Sequence, residues 1–445
     1  MFRKVVAIFL VYMATISAAL AGEDALYPIL ENDLWGYMDR QGNTVIAPQY
    51  DRADDFCEDG FAVVGKKEGK KICYGIIDTE GNEVVPLSYT DIYWDNGLYR
   101  LRGLEGVGKE GFFNTKNGFI QMPFYDEVYP NERLARVHIW DDYGFVSCEN
   151  GEIVIEVDHP WTPYGAWEQE GYLFLTDGGG RGEHEITCRL LDENMNEVVF
   201  PEGLMPASFV QEGVLAVQEA TPGEVWQNVS SGENPKMGLA RADGTILHEA
   251  EFDYVHPAHN GIVCFWENER CGHMDLEGNI IVPAKYAVVC DEVGRYIFYG
   301  DYAMIEEETR YVVIDKQGNE IFTAERYSEK GELWMDVITD ENFSKYYWHN
   351  GGQELYGLIS FGGEEQVKIL DDVFEHVWDW NGENGLYPAM QDGLYGFINK
   401  EGQWVLPPYW DDTEGFVNGL AWVEKDCKAA YIDREGNVVW QETRE

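Results

Sequence analysis

Basic residues are scarce in this 445-residue sequence: 32 Lys and Arg stand against 81 Asp and Glu, a formal charge of −49. Nucleic acid is thereby excluded as an expected partner, because phosphate binding needs a basic face that the chain cannot assemble. Catalytic signatures are missing too. There is no GxSxG elbow, no HExxH and no GK[ST] phosphate loop. CxxC is absent as well, which removes a structural zinc site. Beyond the first residues no stretch approaches the roughly 20 consecutive apolar residues of a membrane-spanning helix. Proline is sparse at 16 residues, while Trp, Tyr and Phe number 15, 27 and 21. Such a chain can bury a large core and does not read as a disordered tail.

The N-terminal segment, "MFRKVVAIFLVYMATISAALA", places Arg3 and Lys4 before an apolar run that ends in small residues at Ala19–Ala21. That pattern predicts a secretory signal over 1–21, cut after Ala21, and a soluble mature chain over 22–445 that is secreted or held in the cell envelope. Loss of Arg3 and Lys4 moves the net charge from −49 to −51. Export permits disulfides, and the eight cysteines are even in number but irregularly spaced. If "CFWENERC" turns at Glu267 and Asn268, Cys264 and Cys271 face each other across a hairpin, where a cross-strand disulfide or two buried thiols would fit. Calcium suits the wealth of carboxylates, yet no DxDxDG loop with its distal Glu supports a specific site.

Repetition is the dominant feature. "WGYMDRQGNTVIAPQYDR" from Trp35 returns as "YGIIDTEGNEVVPLSYTD" from Tyr74, "CGHMDLEGNIIVPAKYAV" from Cys271 and "YGFINKEGQWVLPPYWDD" from Tyr395. Aligned on the shared glycine, the copies fall at Gly36, Gly75, Gly111, Gly144, Gly238, Gly272, Gly357 and Gly396, with neighbouring members 33 to 39 residues apart. With degenerate copies from Arg189 and Tyr311 and a half-copy from Ala430, the template counts about eleven units. The copies are stretched and interrupted over about 145–236.

Each unit shares one grammar. An aromatic residue and Gly open a short alternating strand, and DxxG then makes a turn in which Asp caps the backbone and Gly takes the left-handed conformation. A second strand such as "NEVVP" follows, and its proline is expected to end the ladder. After an aromatic and often Asp, a third strand such as "GFAVV" from Gly60 completes the unit. The predicted fold is all-β: about eleven three-stranded antiparallel meanders, stacked as a solenoid or closed like a propeller.

These residues resemble the bacterial WG-repeat family, whose units carry the (W/Y)G dipeptide and a DxxGxxVxPxYD core. The likeness is specific at Trp35-Gly36, Tyr74-Gly75, Tyr356-Gly357 and Tyr395-Gly396. It implies a non-enzymatic, secreted or envelope repeat module with no catalytic residues to carry over and no cofactor.

Function is then sought where the chain departs from its template. "DGGGRGEHE" (177–185) reads as a loop. "HEAEFDYVHPAHNG" (248–261) offers His256 and His259 beside carboxylates, although Pro257 breaks any regular ligand face. "VWDWNGENGLY" (377–387) sets Trp378 and Trp380 one residue apart, on one side of a strand, where they would fill core or stack on a ligand. The expected role is a binding scaffold for an extracellular protein or glycan. A hydrolase on a propeller-like scaffold and a purely structural envelope protein are the alternatives.

Overall fold

The computed structural model describes residues 25–442 apart from 58, 96, 104–107, 131–132, 141, 160–165, 178–186, 220–234, 288–297, 337, 340–341, 350–354, 363–366 and 379–384. The segment over 1–21 that the sequence predicts to be a signal therefore lies outside the described residues. Among those described there is no α-helix, and the strands form eleven small antiparallel sheets, as the repeat count requires. In every sheet, strands adjacent in sequence are adjacent in space. This is the local plan of the meander sheets from which propellers are built.

Two expectations need correction. Seven of the eleven sheets have four strands, three have three and one has five. The phase also differs. The first sheet holds β1 (Tyr27–Glu31), β2 (Leu34–Met38) and β3 (Thr44–Tyr50), and the "GFAVV" segment belongs to the next sheet instead of closing this one. That second sheet runs β4 (Arg52–Ala53), β5 (Phe61–Glu68), β6 (Lys71–Asp78) and β7 (Glu83–Tyr89). The reason is the tight hairpin before the strand that carries the repeat glycine or its counterpart. Asn32-Asp33, Asn268-Glu269 and Asp426-Cys427 all have positive φ and join directly paired strands, so the strand before the turn belongs with the strand after it.

Nor does proline end the outer strand. β3 continues through Pro48 to Tyr50, and Trp35 pairs with Tyr50 after a register shift. Tyr74 likewise pairs with Tyr89, and Tyr395 with Trp410. Because this strand is the last of its sheet, the missing proline N–H deprives no neighbour. The shift between the paired aromatics brings the kinked strand onto the repeat glycine. A Cβ on Gly396 would lie 2.5 Å from the Leu406 carbonyl oxygen and 2.8 Å from Pro408 N. On Gly75 it would lie 2.7 Å from the Val85 oxygen.

The DxxG turns carry one more constant residue than the template recognised. Asp39 accepts hydrogen bonds at Oδ1 from the N–H groups of Gln41 and Asn43, and at Oδ2 from the Asn43 side chain. Asp78 with Asn82, Asp192 with Asn196, Asp275 with Asn279, Asp315 with Asn319 and Asp433 with Asn437 repeat the arrangement. The Asn43 amide and the turn N–H groups hold Asp39 below the usual carboxylate range. At Asp78 and Asp275 slight burial pushes the other way, but the hydrogen bonds from Asn82 and Asn279 prevail.

The chain divides into two compact units, one of residues 1–64, 78–82 and 325–445 and the other of 65–77 and 83–324. In the second unit, cores form between consecutive sheets: Val214, Ala216, Met237, Leu239 and Phe252 of one pack with Val263, Phe265 and Met274 of the next. A chain of carboxylates ties the turns together. Glu170 accepts from the N–H groups of Glu212 and Gly213, and Glu212 from those of Asn260 and Gly261. In the first unit, the first sheet packs on the last, with Tyr27, Ile29 and Met38 against Leu420 and Tyr431. The Tyr27 hydroxyl donates to the Asn418 carbonyl at 2.7 Å. The two ends of the array are thus each other's partner, not the free ends of a solenoid.

Gly396→Ala should cost about 3 kcal/mol through its clash with backbone, whereas Gly118→Ala, at φ +73° with nothing near its Cβ, should cost about 1 kcal/mol of backbone strain. Equal shifts in urea midpoint would remove the packing role assigned to Gly396. The turn carboxylates set an acid limit. At Asp39, Asp78, Asp192 and Asp275 the folded pKa lies below the unfolded value of about 3.9, so their contribution is present above that pH and is lost as pH falls through the folded value. The urea midpoint should hold near neutrality and drop below about pH 4, and Asp275→Asn should make the drop shallower. The Asn form fits this turn, since Asn399 already accepts the N–H groups of Glu401 and Gln403.

Candidate functional site

The second unit contains a cavity of about 170 Å³, lined by Gln211, His256, His259, Ile262, Cys264 and Phe298. The loop after Tyr254–Val255 supplies both imidazoles, and Pro257 between them fixes the turn that sets them on one wall. His256 accepts a hydrogen bond at Nε2 from the Trp266 indole N–H, 3.1 Å away. Burial pushes its pKa down to about 4, so the ring is neutral near pH 7. His259 donates from Nδ1 to the Phe298 carbonyl at 3.0 Å. His248 is bonded elsewhere, to the Gly278 carbonyl and Glu251. The sequence pairing of His256 with His259 is therefore brought together, but as part of a largely apolar cavity. Among the described residues no group of three or more His, Cys, Asp or Glu is arranged to hold a metal ion.

The cross-strand disulfide is not formed. Cys264 lies opposite His273 and Cys271 opposite Trp266, and no bond joins the two cysteines. The hairpin turns at Asn268-Glu269, one residue later than expected, which offsets the pair by two positions. Burial, with the nearby Cys271, pushes the Cys264 thiol well above its ordinary range. Trp378 is half-buried, just past the short strand His376–Val377, and its ring meets His376 edge to face. Trp380 and the loop residues from 178 lie outside the described residues, so the proposed tryptophan pair is placed only at its first member.

What the sequence did not reveal is a surface. On the outermost strands, apolar side chains two or three residues past the glycine of the DxxG turn remain exposed: Ile280 and Val438 at the second position and Val45, Ile281 and Val405 at the third, with exposures of 36 to 59%. Met122 and Phe124 add larger groups on the strand Phe119–Tyr125. The most exposed is Trp140, at 83%. It sits at the first position of the hairpin turn between Ile139 and Asp142, with φ +59°. Sister turns place Asn32, Asn268, Asp392 and Asp426 there, residues that accept the left-handed region. The Asp that follows the buried aromatic clamps this turn: Asp126 accepts from Trp140 N–H at 2.8 Å, Asp253 from Asn268 at 2.6 Å and Asp411 from Asp426 at 2.7 Å. The signal that would have found Trp140 is a bulky residue where the template calls for Asn or Asp.

Three segments, residues 35–70, 74–102 and 395–428, match the model of the WG containing repeat. No curated protein matches the chain in sequence. Among solved structures, a eukaryotic initiation factor is similar at 11% identity over 78% of this chain and 96% of that one, with a TM-score of 0.37. Kluyveromyces lactis Hsv2 is similar at 9% identity over 71% of this chain and 95% of that one, TM-score 0.26. Tricorn protease is similar at 11% identity over 92% of this chain and 50% of that one, TM-score 0.25. At such scores none of the three bears on what this chain does.

Trp140→Asn should raise the thermal midpoint, by the equivalent of about 1 kcal/mol, since it relieves a left-handed bulky residue and uncovers little surface. A lower midpoint would make Trp140 a folding residue.

Proposed function

We propose that this chain is a bacterial, exported interaction scaffold, and that it docks a protein partner outside the cytoplasm through the outer strands of its sheets. One observation carries the reading: exposed apolar side chains recur at the second and third positions after the turn glycine. Core packing does not need them, and an isolated surface apolar residue would call for no explanation, but a series repeated by the template offers a partner a regular set of contacts. Val, Ile and Met fit protein surfaces better than sugar rings, which favour flat aromatic faces. The excess of carboxylates favours a partner with a basic surface.

A second reading, an extracellular hydrolase, has one observation in its favour. Asp55 and Glu414, both in the first unit, stay accessible to solvent, while the protein packed around them pushes both carboxyls above the usual range. The charge of Asp55 adds to the shift at Glu414. Two carboxyls kept apart in protonation are what glycoside hydrolysis uses.

Presenting the mature chain to peptide, protein and polysaccharide arrays separates these readings. Retention on protein without turnover, weakened at least threefold in a Val405→Asp/Ile280→Asp double variant, is the expected result. Turnover abolished by Glu414→Gln would replace the scaffold by the enzyme, and failure to retain any probe would overturn it in favour of a purely structural role.

A further inference from the structure

From the His256–His259 cavity we infer a second, small-molecule site: it binds a neutral aromatic molecule carrying one hydroxyl group, of the size of phenol. The argument starts from volume. About 170 Å³ compares with the roughly 150 Å³ of an apolar protein cavity that takes up benzene. One aromatic ring fits, and a sugar or a dinucleotide does not.

The polar groups then select the substituent. An indole N–H can only donate, so the bond from Trp266 requires an unprotonated Nε2 on His256, and the neutral ring carries its proton on Nδ1. A carbonyl can only accept, so His259 donates from Nδ1 toward Phe298, and the neutral tautomer that does so has its lone pair on Nε2. Neither His256 Nδ1 nor His259 Nε2 is sealed inside the protein, and neither has a hydrogen-bond partner among the described residues. The two half-buried rings that line the cavity thus carry one donor and one acceptor with no partner among the described residues. A hydroxyl group satisfies both at once, accepting from His256 and donating to His259, while Ile262, Ala258 and Phe298 enclose the ring.

Competing ligands fit less well. Among the described residues a transition metal would find two imidazoles but no third ligand, since Cys264 is held as a thiol and the thiolate is the metal-binding form. An anion would meet the neutral ring of His256, which burial keeps uncharged. An aliphatic ligand without a hydroxyl group would fill the space and leave the nitrogens unused.

The test is calorimetric titration of the full mature chain with phenol, with benzene as the size control and zinc chloride as the metal control. Phenol should bind roughly five- to tenfold tighter than benzene, the ratio expected of one or two added hydrogen bonds. In His259→Phe that preference should fall to about one. Nuclear Overhauser contacts from phenol ring protons to the Ala258 and Ile262 methyl groups should place the ligand in the wild-type protein whether or not the variant folds. Zinc binding that His259→Phe abolishes, equal affinity for phenol and benzene in the wild type, or ring contacts that avoid Ala258 and Ile262 would each overturn the assignment.

Discussion

Six sheets of the array depend on the bare backbone at one glycine each. Two adjacent strands cannot stay in register on both sides of a bulge unless one backbone gives way to the other, and the residue facing the bulge must lack a side chain. Gly36, Gly75, Gly238, Gly272 and Gly396 all meet the kinked outer strand in this way. The aromatic before the glycine and the aromatic at the strand's far end pair across the same bulge, as Trp35 does with Tyr50 and Tyr395 with Trp410. Together they fix the twist of the outer strand, and with it the angle at which the next sheet is presented.

Much of the acidic character has a place in this scheme. Carboxylates that accept backbone N–H groups hold three kinds of turn: the DxxG turn through Asp39 and its counterparts, the hairpin turn through Asp126, Asp253 and Asp411, and the turn-to-turn chain through Glu170 and Glu212. In each case a charged acceptor satisfies donors that a tight turn leaves without strand partners. The negative charge is thus distributed by the repeat itself, which explains why it forms no acidic tail. It also leaves an acidic surface around the exposed apolar positions as a by-product of how the turns are built.

The strands and DxxG turns were legible in the sequence because they are local: alternation has a period of two, and Asp and Gly act within four residues. Sheet boundaries were not, since they depend on which neighbour a strand pairs with. The deciding clue was the pair with positive φ before the strand that carries the repeat glycine or its counterpart, plain as Asp392-Gly393 but hidden as Asp426-Cys427. One residue of error in such a turn displaced Cys264 from Cys271 by two. Proline was misread as a terminator because its position at the edge of a sheet is a tertiary fact. The two histidines of the cavity could be seen together, but Gln211 and Phe298 come from sheets on either side and share no local signal with them. Trp140 was legible in principle, as a departure from a rule that becomes visible only once the turns are aligned.

The contact between the first and last sheets joins Tyr27 to Asn418 across 391 positions of sequence. A ribosome adding about 5–20 residues per second needs roughly 20–80 s to span that distance. For all of that time Ile29 and Met38 have no partner to cover them, and the first sheet waits half-finished while the others assemble on one another. Closure therefore waits on the last sheet, and the interval before it is when a chaperone finds the protein open.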